Sequence, residues 1–286
     1  MEAKPLIELH AKARKGRPSE LSFTNLFMWR KHYRFSYALL GEILVIRGVN
    51  ERGGFMLEPL GAATGGGVVA ELLAEDGIRS MERVSETFVR GCLEGDPRFV
   101  IEEAREHWDY IYSKDDLAHL AGRKFHRKRN HVKRFMETYA FDYIELGPEH
   151  MEECREVVEG WCRERNCELD PGLCAERESV EEVLSHFGGL GLLGGLLRIE
   201  GKPVAFTAGE AFDERTALIH VEKALSGYEG LYQVVNKLFC ERSLAGFAYV
   251  NREQDLGLEG LRKAKESYFP VSMLKKFRVT LAKPAP

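Results

Sequence analysis

Residues 191–223 constrain the fold more than any other part of this chain. Gly191–Glu200 and Val204–Phe212 are apolar runs joined by Gly201-Lys202-Pro203, and a second turn, Asp213-Glu214-Arg215, leads into 216–223. Glycine and proline punctuate a chain where its backbone reverses, so these runs predict a hairpin followed by a third strand. The glycines just before the hairpin, in His-Phe-Gly-Gly-Leu-Gly-Leu-Leu-Gly-Gly, are too patterned for a linker.

The flanking segments extend this unit. A strand is expected from Tyr143, then helices over about 148–165 and 178–187. After the third strand come a loop at Gly227–Gly230, a helix over about 230–243, a strand at 247–251, a helix at 258–267 and a strand at 274–281. The first half reads as a degraded version of the same order. It has a helix over 22–33 capped by Ser22 or Thr24 and a hairpin over 35–47 around Gly41-Glu42. A loop of small residues at 61–67 and helices over about 67–75 and 77–92 follow. Ser113-Lys-Asp-Asp116 starts a further helix, and Gly122 divides it from a basic helix over 123–139. The expectation is an α+β protein with a tandem repeat: an N-terminal domain over 1–142 and a C-terminal domain over 143–286.

Hydrophobic residues are 44% and charged residues 30% of the 286, enough to bury full cores in two domains. The net charge is −4, but cations cluster. Segment 123–134 holds seven Lys/Arg and no acid, and segment 262–278 holds six against one Glu. Unopposed like charges repel, so two such patches suggest an anionic ligand; ordinary solvated helix faces are the plain alternative. The six cysteines form no CxxC pair, and no histidine completes a zinc set, so reduced thiols and no metal are expected. No run approaches the ~20 apolar residues of a membrane span, and no secretory core is visible; a soluble, cytoplasmic protein is expected. The oligomeric state is not legible.

Acid, cation, glycine turn and tyrosine recur at element ends between Ile219 and Pro270, in Ile219-His-Val-Glu-Lys-Ala, Gly227-Tyr-Glu-Gly230, Asn236, Asn251-Arg-Glu-Gln-Asp255 and Arg262 to Pro270. The order hairpin, strand, glycine turn, helix, strand, helix, strand over 190–282 is similar to the core of the GNAT acyltransferase superfamily. More specific pieces are Ser22-Phe-Thr-Asn-Leu-Phe-Met-Trp29, Gly122 through His131, Gly195 through Gly209-Glu210, Glu222-Lys-Ala, and Asn251 through Tyr268. On these the chain resembles, almost end to end, a bacterial family of uncharacterised proteins grouped with the C-terminal catalytic domain of phosphatidylglycerol lysyltransferase. The resemblance implies two tandem GNAT-like domains, as in the Fem aminoacyltransferases, each a mixed, mostly antiparallel sheet flanked by helices. It implies transfer of an acyl group from acyl-CoA or aminoacyl-tRNA to an amine or hydroxyl. The lysyltransferase's membrane-spanning N-terminal region is not in this sequence, so a small-molecule amine acceptor is expected. The alternative is a non-catalytic GNAT-like module that binds tRNA or another polyanion through the basic helix.

Acyl transfer to an amine needs an activated donor, a deprotonated amine, oxyanion stabilisation and a protonated leaving group. In GNAT-like folds backbone N–H groups hold the oxyanion where two central strands splay, here expected near Val221–Ala224. Glu222 is the candidate base, with a buried structural ion pair as the alternative. His220 shares its face in an alternating strand and reads as a core histidine. Gly227 and Gly230 precede a helix N-terminus, the place where GNAT enzymes hold coenzyme A. Glu229 and Leu231 depart from the usual pattern, which leaves an aminoacyl-tRNA donor open. Lys223, Arg252, Arg262 and Lys265 are the candidate donor-binding cations. Tyr268, fixed before Pro270, is the candidate proton donor to the leaving group. Asn251 faces substrate at a strand end or locks a polar turn; Arg252 likewise faces substrate or pairs with an acid. Arg123, Lys124, Arg127, Lys128, Arg129 and Asn130 could track a tRNA backbone by charge alone.

Overall fold

The computed structural model describes residues 1–14, 16–61 and 64–283. The chain forms two compact units. One comprises Met1–Tyr110, Gln254–Lys263 and Met273–Pro286; the other comprises Ile111–Glu253 and Ala264–Ser272.

The strands in chain order are β1 (Ser36–Leu40), β2 (Ile43–Asn50), β3 (Gly53–Met56), β4 (Ile78–Ser85), β5 (Phe99–Glu103), β6 (Asp109–Ser113), β7 (Phe141–Glu145), β8 (Leu193–Ile199), β9 (Lys202–Ala211), β10 (Thr216–Ala224), β11 (Tyr249–Asn251), β12 (Ser272–Leu274) and β13 (Lys276–Leu281). They form a six-stranded sheet in the order β1-β2-β3-β4-β13-β5 and a seven-stranded sheet in the order β12-β6-β11-β10-β9-β8-β7. Helices flank both sheets, giving the expected α+β architecture.

Local signals placed most elements. The Ser22 hydroxyl accepts from Asn25 N–H at 3.0 Å and opens the helix Phe23–Met28. Ser113 does the same for Lys114–His119. Gly122, at φ 85, separates that helix from the basic segment, whose α-helix is His126–Thr138. Between β8 and β9 the turn is Glu200-Gly201, at φ 51 and 76, the left-handed pair that a two-residue hairpin requires. Gly194 and Gly195 in β8 leave room for Leu146 and Tyr143 from the β7 side, where any Cβ would collide with them. Close packing between strands explains the glycines there.

Three expectations differ from the structure. The helix expected over 77–92 is instead β4, followed by the short helix Glu86–Phe88 and a wider turn at Val89–Leu93. β4 lies between β3 and β13, and its residues from Ser80 to Ser85 are buried. A strand buried on both faces loses its period-two pattern, so no local signal distinguishes it from a helix. The two compact units also divide at Tyr110/Ile111 and not at 142/143. β6 and the basic helix belong to the second unit, while β13 pairs with β4 and β5 in the first. Only pairing between strands far apart in sequence fixes this. The loop expected over 61–67 includes residues 62 and 63, outside the described residues, and its end is already helical from Gly66.

In the second unit, helix Met151–Arg165 and helix Leu231–Arg242 cover β9 and β10. Adjacent strand residues point oppositely. Glu222 reaches Asn236 of one helix while Lys223 lies against Trp161 of the other, so the two helices occupy opposite faces. Phe206, Val221, Val234 and Phe239 fill the interior between them.

Candidate active site

The site is built where β10 and β11 part. These parallel strands pair only from Thr216↔Tyr249 to Leu218↔Asn251. Beyond Leu218, β10 continues to Ala224 while the chain after Asn251 turns away. A register shift between Ile219 and Val221 on the β9 side puts His220 at a bulge, which sharpens the divergence.

Glu222 lies in the diverging part of β10. One oxygen accepts from Arg252 Nη2 at 2.8 Å and the other from Asn236 Nδ2 at 3.0 Å. Both charged side chains are 13% exposed. Burial would lower the Arg252 pKa, but the Glu222 charge overrides it and holds the guanidinium above its ordinary range. The same guanidinium stands 5.0 Å from the Tyr268 ring centroid and 5.7 Å from that of Tyr112. Two buried polar atoms of this cluster, Arg252 Nη1 and Asn236 Oδ1, have no hydrogen-bond partner among the described residues. Buried polar atoms are rarely left so, which marks this as a place for an additional polar group.

Tyr268 is buried, and burial pushes its phenol well above the ordinary tyrosine range. Lys128 Nζ sits 4.1 Å from the Tyr268 ring centroid. Burial, reinforced by Arg252 and Arg127, lowers the Lys128 pKa to about 8.

His220 is a lock. Its ring nitrogens meet Glu210 Oε1 at 2.9 Å and Glu253 Oε1 at 3.0 Å, and its side chain is fully buried. Burial alone would lower its pKa, but hydrogen bonds to both carboxylates raise it to about 10. At neutral pH it is an imidazolium, with no lone pair to offer as a base.

The structure therefore brings Glu222, Arg252, Tyr268 and Lys128 together and engages the other sequence candidates elsewhere. Asn251 accepts from Glu253 N–H at 2.7 Å, the polar turn that was the alternative reading. Lys265 donates to the carbonyls of Arg252 and Glu253, stapling that turn. Lys223 is buried on the other face of β10, 3.4 Å from the Trp161 ring centroid and paired with Glu176. Arg262 is held by two bonds to Asp255, at 2.8 and 3.0 Å. A cation already satisfied by a carboxylate is a poor receiver for a phosphate.

At the glycine loop, Gly230 caps the helix with φ 90, and a Cβ there would stand 2.7 Å from the His131 carbonyl oxygen. Acids face this loop. Ser226 N–H donates to Glu164 at 3.0 Å, and Glu229 pairs with Arg134 at 3.0 Å. The site expected for a pyrophosphate around Gly227 and Gly230 thus has carboxylates in it.

In the basic segment, Lys124 pairs with Asp116, and Arg129 caps carbonyls of Leu120 and Gly122. Arg123, Arg127 and Asn130 are exposed and have no side-chain hydrogen bond or ion pair among the described residues. Sequence reasoning missed Asn236 as a Glu222 partner, and it took Lys128 for one more surface cation. No local signal identifies either, because each partner lies on another element.

Burial raises the Cys154, Cys162 and Cys240 thiols to about 12, so none of these is a thiolate nucleophile. Among the described residues no group of three or more His, Cys, Asp or Glu could hold a metal ion, and no helix is long and apolar enough to cross a membrane.

The divergent parallel pair, the bulge and the helix after the glycine turn define a GNAT-like unit, and the paired sheets define a tandem of such units. A tandem GNAT protein from the clavulanic acid biosynthesis pathway superposes with a TM-score of 0.51 at 10% identity, over 98% of this chain and 95% of that one. The chain belongs to the family described as phosphatidylglycerol lysyltransferase, C-terminal, whose model matches residues 12–280. A conserved protein of unknown function from Bacteroides thetaiotaomicron VPI-5482 is 35% identical, with a TM-score of 0.89 over 98% of this chain and 97% of that one. L-PGS from Bacillus licheniformis is 16% identical, with a TM-score of 0.64 over 96% and 91% of the two chains. No curated protein matches the sequence. The fold is thus a tandem GNAT-like one, and the family is that of the phosphatidylglycerol lysyltransferase C-terminal domain.

Proposed function

We propose that this protein transfers an acyl or aminoacyl group to an amine in the cleft between β10 and β11. The observation that carries the reading is the convergence of Glu222, Arg252, Asn236 and Tyr268 at the strand divergence, with two buried polar atoms left unpaired there. Glu222 positions the incoming amine, sharing its oxygens with the guanidinium and the amide. Arg252 faces the charge that develops on the acyl oxygen, in a buried setting where such an interaction is strong.

The donor we favour is an aminoacyl ester of the kind tRNA carries. Glu164 stands at the loop where a coenzyme A pyrophosphate would have to sit, and Glu229 there already occupies Arg134, so the loop offers a phosphate a like charge and no free cation among the described residues. The binding-module reading is favoured by one observation, the exposed and unpaired Arg123 and Arg127.

Thermal-shift screening against aminoacyl-tRNA, acyl-CoAs and polyamines tests the proposal, since a ligand of the folded state at 100 times its Kd stabilises by ~2.7 kcal/mol. Stabilisation by aminoacyl-tRNA, followed by transfer of labelled amino acid to a polyamine, is expected. Salt-dependent tRNA binding without transfer would establish the binding module instead. Stabilisation and turnover with acetyl-CoA alone would overturn the donor assignment.

A further inference from the structure

Lys128 occupies a place where a lysine is hard to keep charged. It is the third residue of the helix His126–Thr138, within the first turn, where the helix dipole already presents positive charge. Its neighbours are cations: Arg127 on its own helix and Arg252 from the loop after β11. The group beneath it is the Tyr268 ring, and Glu222, the acid of the cluster, is engaged by Arg252 and Asn236. Lys128 makes no hydrogen bond or ion pair with any described residue. The Tyr268 ring face holds this ammonium, a weaker partner than an acid at ion-pair distance would be. The Tyr268 hydroxyl also makes no hydrogen bond among the described residues, and burial disfavours its ionised form. Tyr268 is therefore a poor proton donor to a leaving group, while an ammonium that releases its proton near neutrality is well matched to that task.

We propose that Lys128 is the proton donor to the leaving group in this transfer and takes back the proton that the acceptor amine sheds. The inference rests on the transfer reading above. In the step, the acceptor nitrogen forms a bond to the acyl carbon, and the bond from that carbon to the ester oxygen breaks with its electron pair. The Lys128 ammonium gives its proton to that oxygen and becomes an amine. As that bond breaks, the nitrogen that attacked passes its extra proton to Lys128, so the lysine ends as it began and the products are a neutral amide and the free hydroxyl. Tyr268 supplies the ring over which the ammonium is held, and Arg252 supplies the positive field that eases proton release.

Two measurements on the full-length protein test this. Competitive labelling with acetic anhydride, read by mass spectrometry, should show Lys128 titrating near 8, against about 10.4 for ordinary lysines. In R252Q the Lys128 titration should move upward. Turnover is then followed with 3′-O-lysyl-adenosine as donor probe and spermidine as acceptor. K128R keeps the charge but holds its proton, so donor-induced thermal stabilisation should persist while turnover falls roughly 10²- to 10⁴-fold. The limb of the pH–rate profile near 8 should disappear with it. Wild-type turnover with an equally active K128R overturns the proton role alone. A wild-type protein with no turnover overturns the transfer reading and this role together. A Lys128 that titrates with the surface lysines also overturns the role.

Discussion

Glu222 and Arg252 meet at 2.8 Å across the gap where β10 and β11 part, so an ion pair spans the part of the sheet that hydrogen bonds do not. The wedge is thus neither an open slot nor filled by apolar packing. A charged pair closes it at its throat.

E222Q should leave the buried guanidinium without its counter-charge. Loss of about 3 kcal/mol is expected, in the range measured when one partner of a buried pair is removed. Urea denaturation measures it. The double variant E222Q/R252M should recover part of the loss, because the cost lies in the orphaned charge; no recovery would mean that packing dominates.

The His220 lock makes stability depend on pH in a defined direction. Its folded pKa, about 10, is above the ordinary 6.5, so its contribution is complete below about pH 6.5 and is lost as pH rises through about 10. Denaturation series across that window should show the decline, and H220N should abolish this part of it. Nitrogen NMR should find both ring nitrogens protonated at pH 8.

Lys276, fully buried in the first unit, donates to Glu20 at 2.5 Å and Asp109 at 2.7 Å. K276M would remove the cation that Asp109 and Glu20 share, leaving Glu20 with Arg83 at 3.5 Å, at a cost of ~3 kcal/mol. D109N in the same background should return part of it. Chemical denaturation of the full chain decides the matter, and an unaffected K276M would show that the carboxylates find protons or other partners.

The carboxylates at the glycine loop should repel pyrophosphate. Changing both Glu164 and Glu229 to Gln removes two partly exposed charges, each worth about 0.5–1 kcal/mol at a surface. Calorimetric titration with inorganic pyrophosphate should then show roughly tenfold tighter binding than the wild type. Equal binding would remove the electrostatic argument against a coenzyme A donor.

Much of the fold was legible locally. Ser22 and Ser113 announced helix starts, Gly122 divided two helices where predicted, and the hairpin formed with its turn at Glu200-Gly201, one residue earlier than the Gly201-Lys202-Pro203 expected. β4 was not legible, because a strand buried on both sides carries no alternation. For the site, the residues at the strand ends were legible but their division of labour was not. Glu222, Arg252 and Tyr268 stand together, while Asn251 and Lys265 hold the turn that follows β11. Lys128 was seen only as positive charge.

The order of elements, the caps and turns, and the inventory of acids, cations and tyrosines follow from the chain alone, since each depends on residues a few positions apart. Which strand joins which sheet, and which cation is spent on a carboxylate, depends on partners as far as 256 residues away, as with Glu222–Asn236 at 14 and Glu20–Lys276 at 256. A lysine in the sequence is a charge; only its surroundings in the folded protein, a ring beneath it, a guanidinium beside it and no acid in reach, decide whether it keeps its proton.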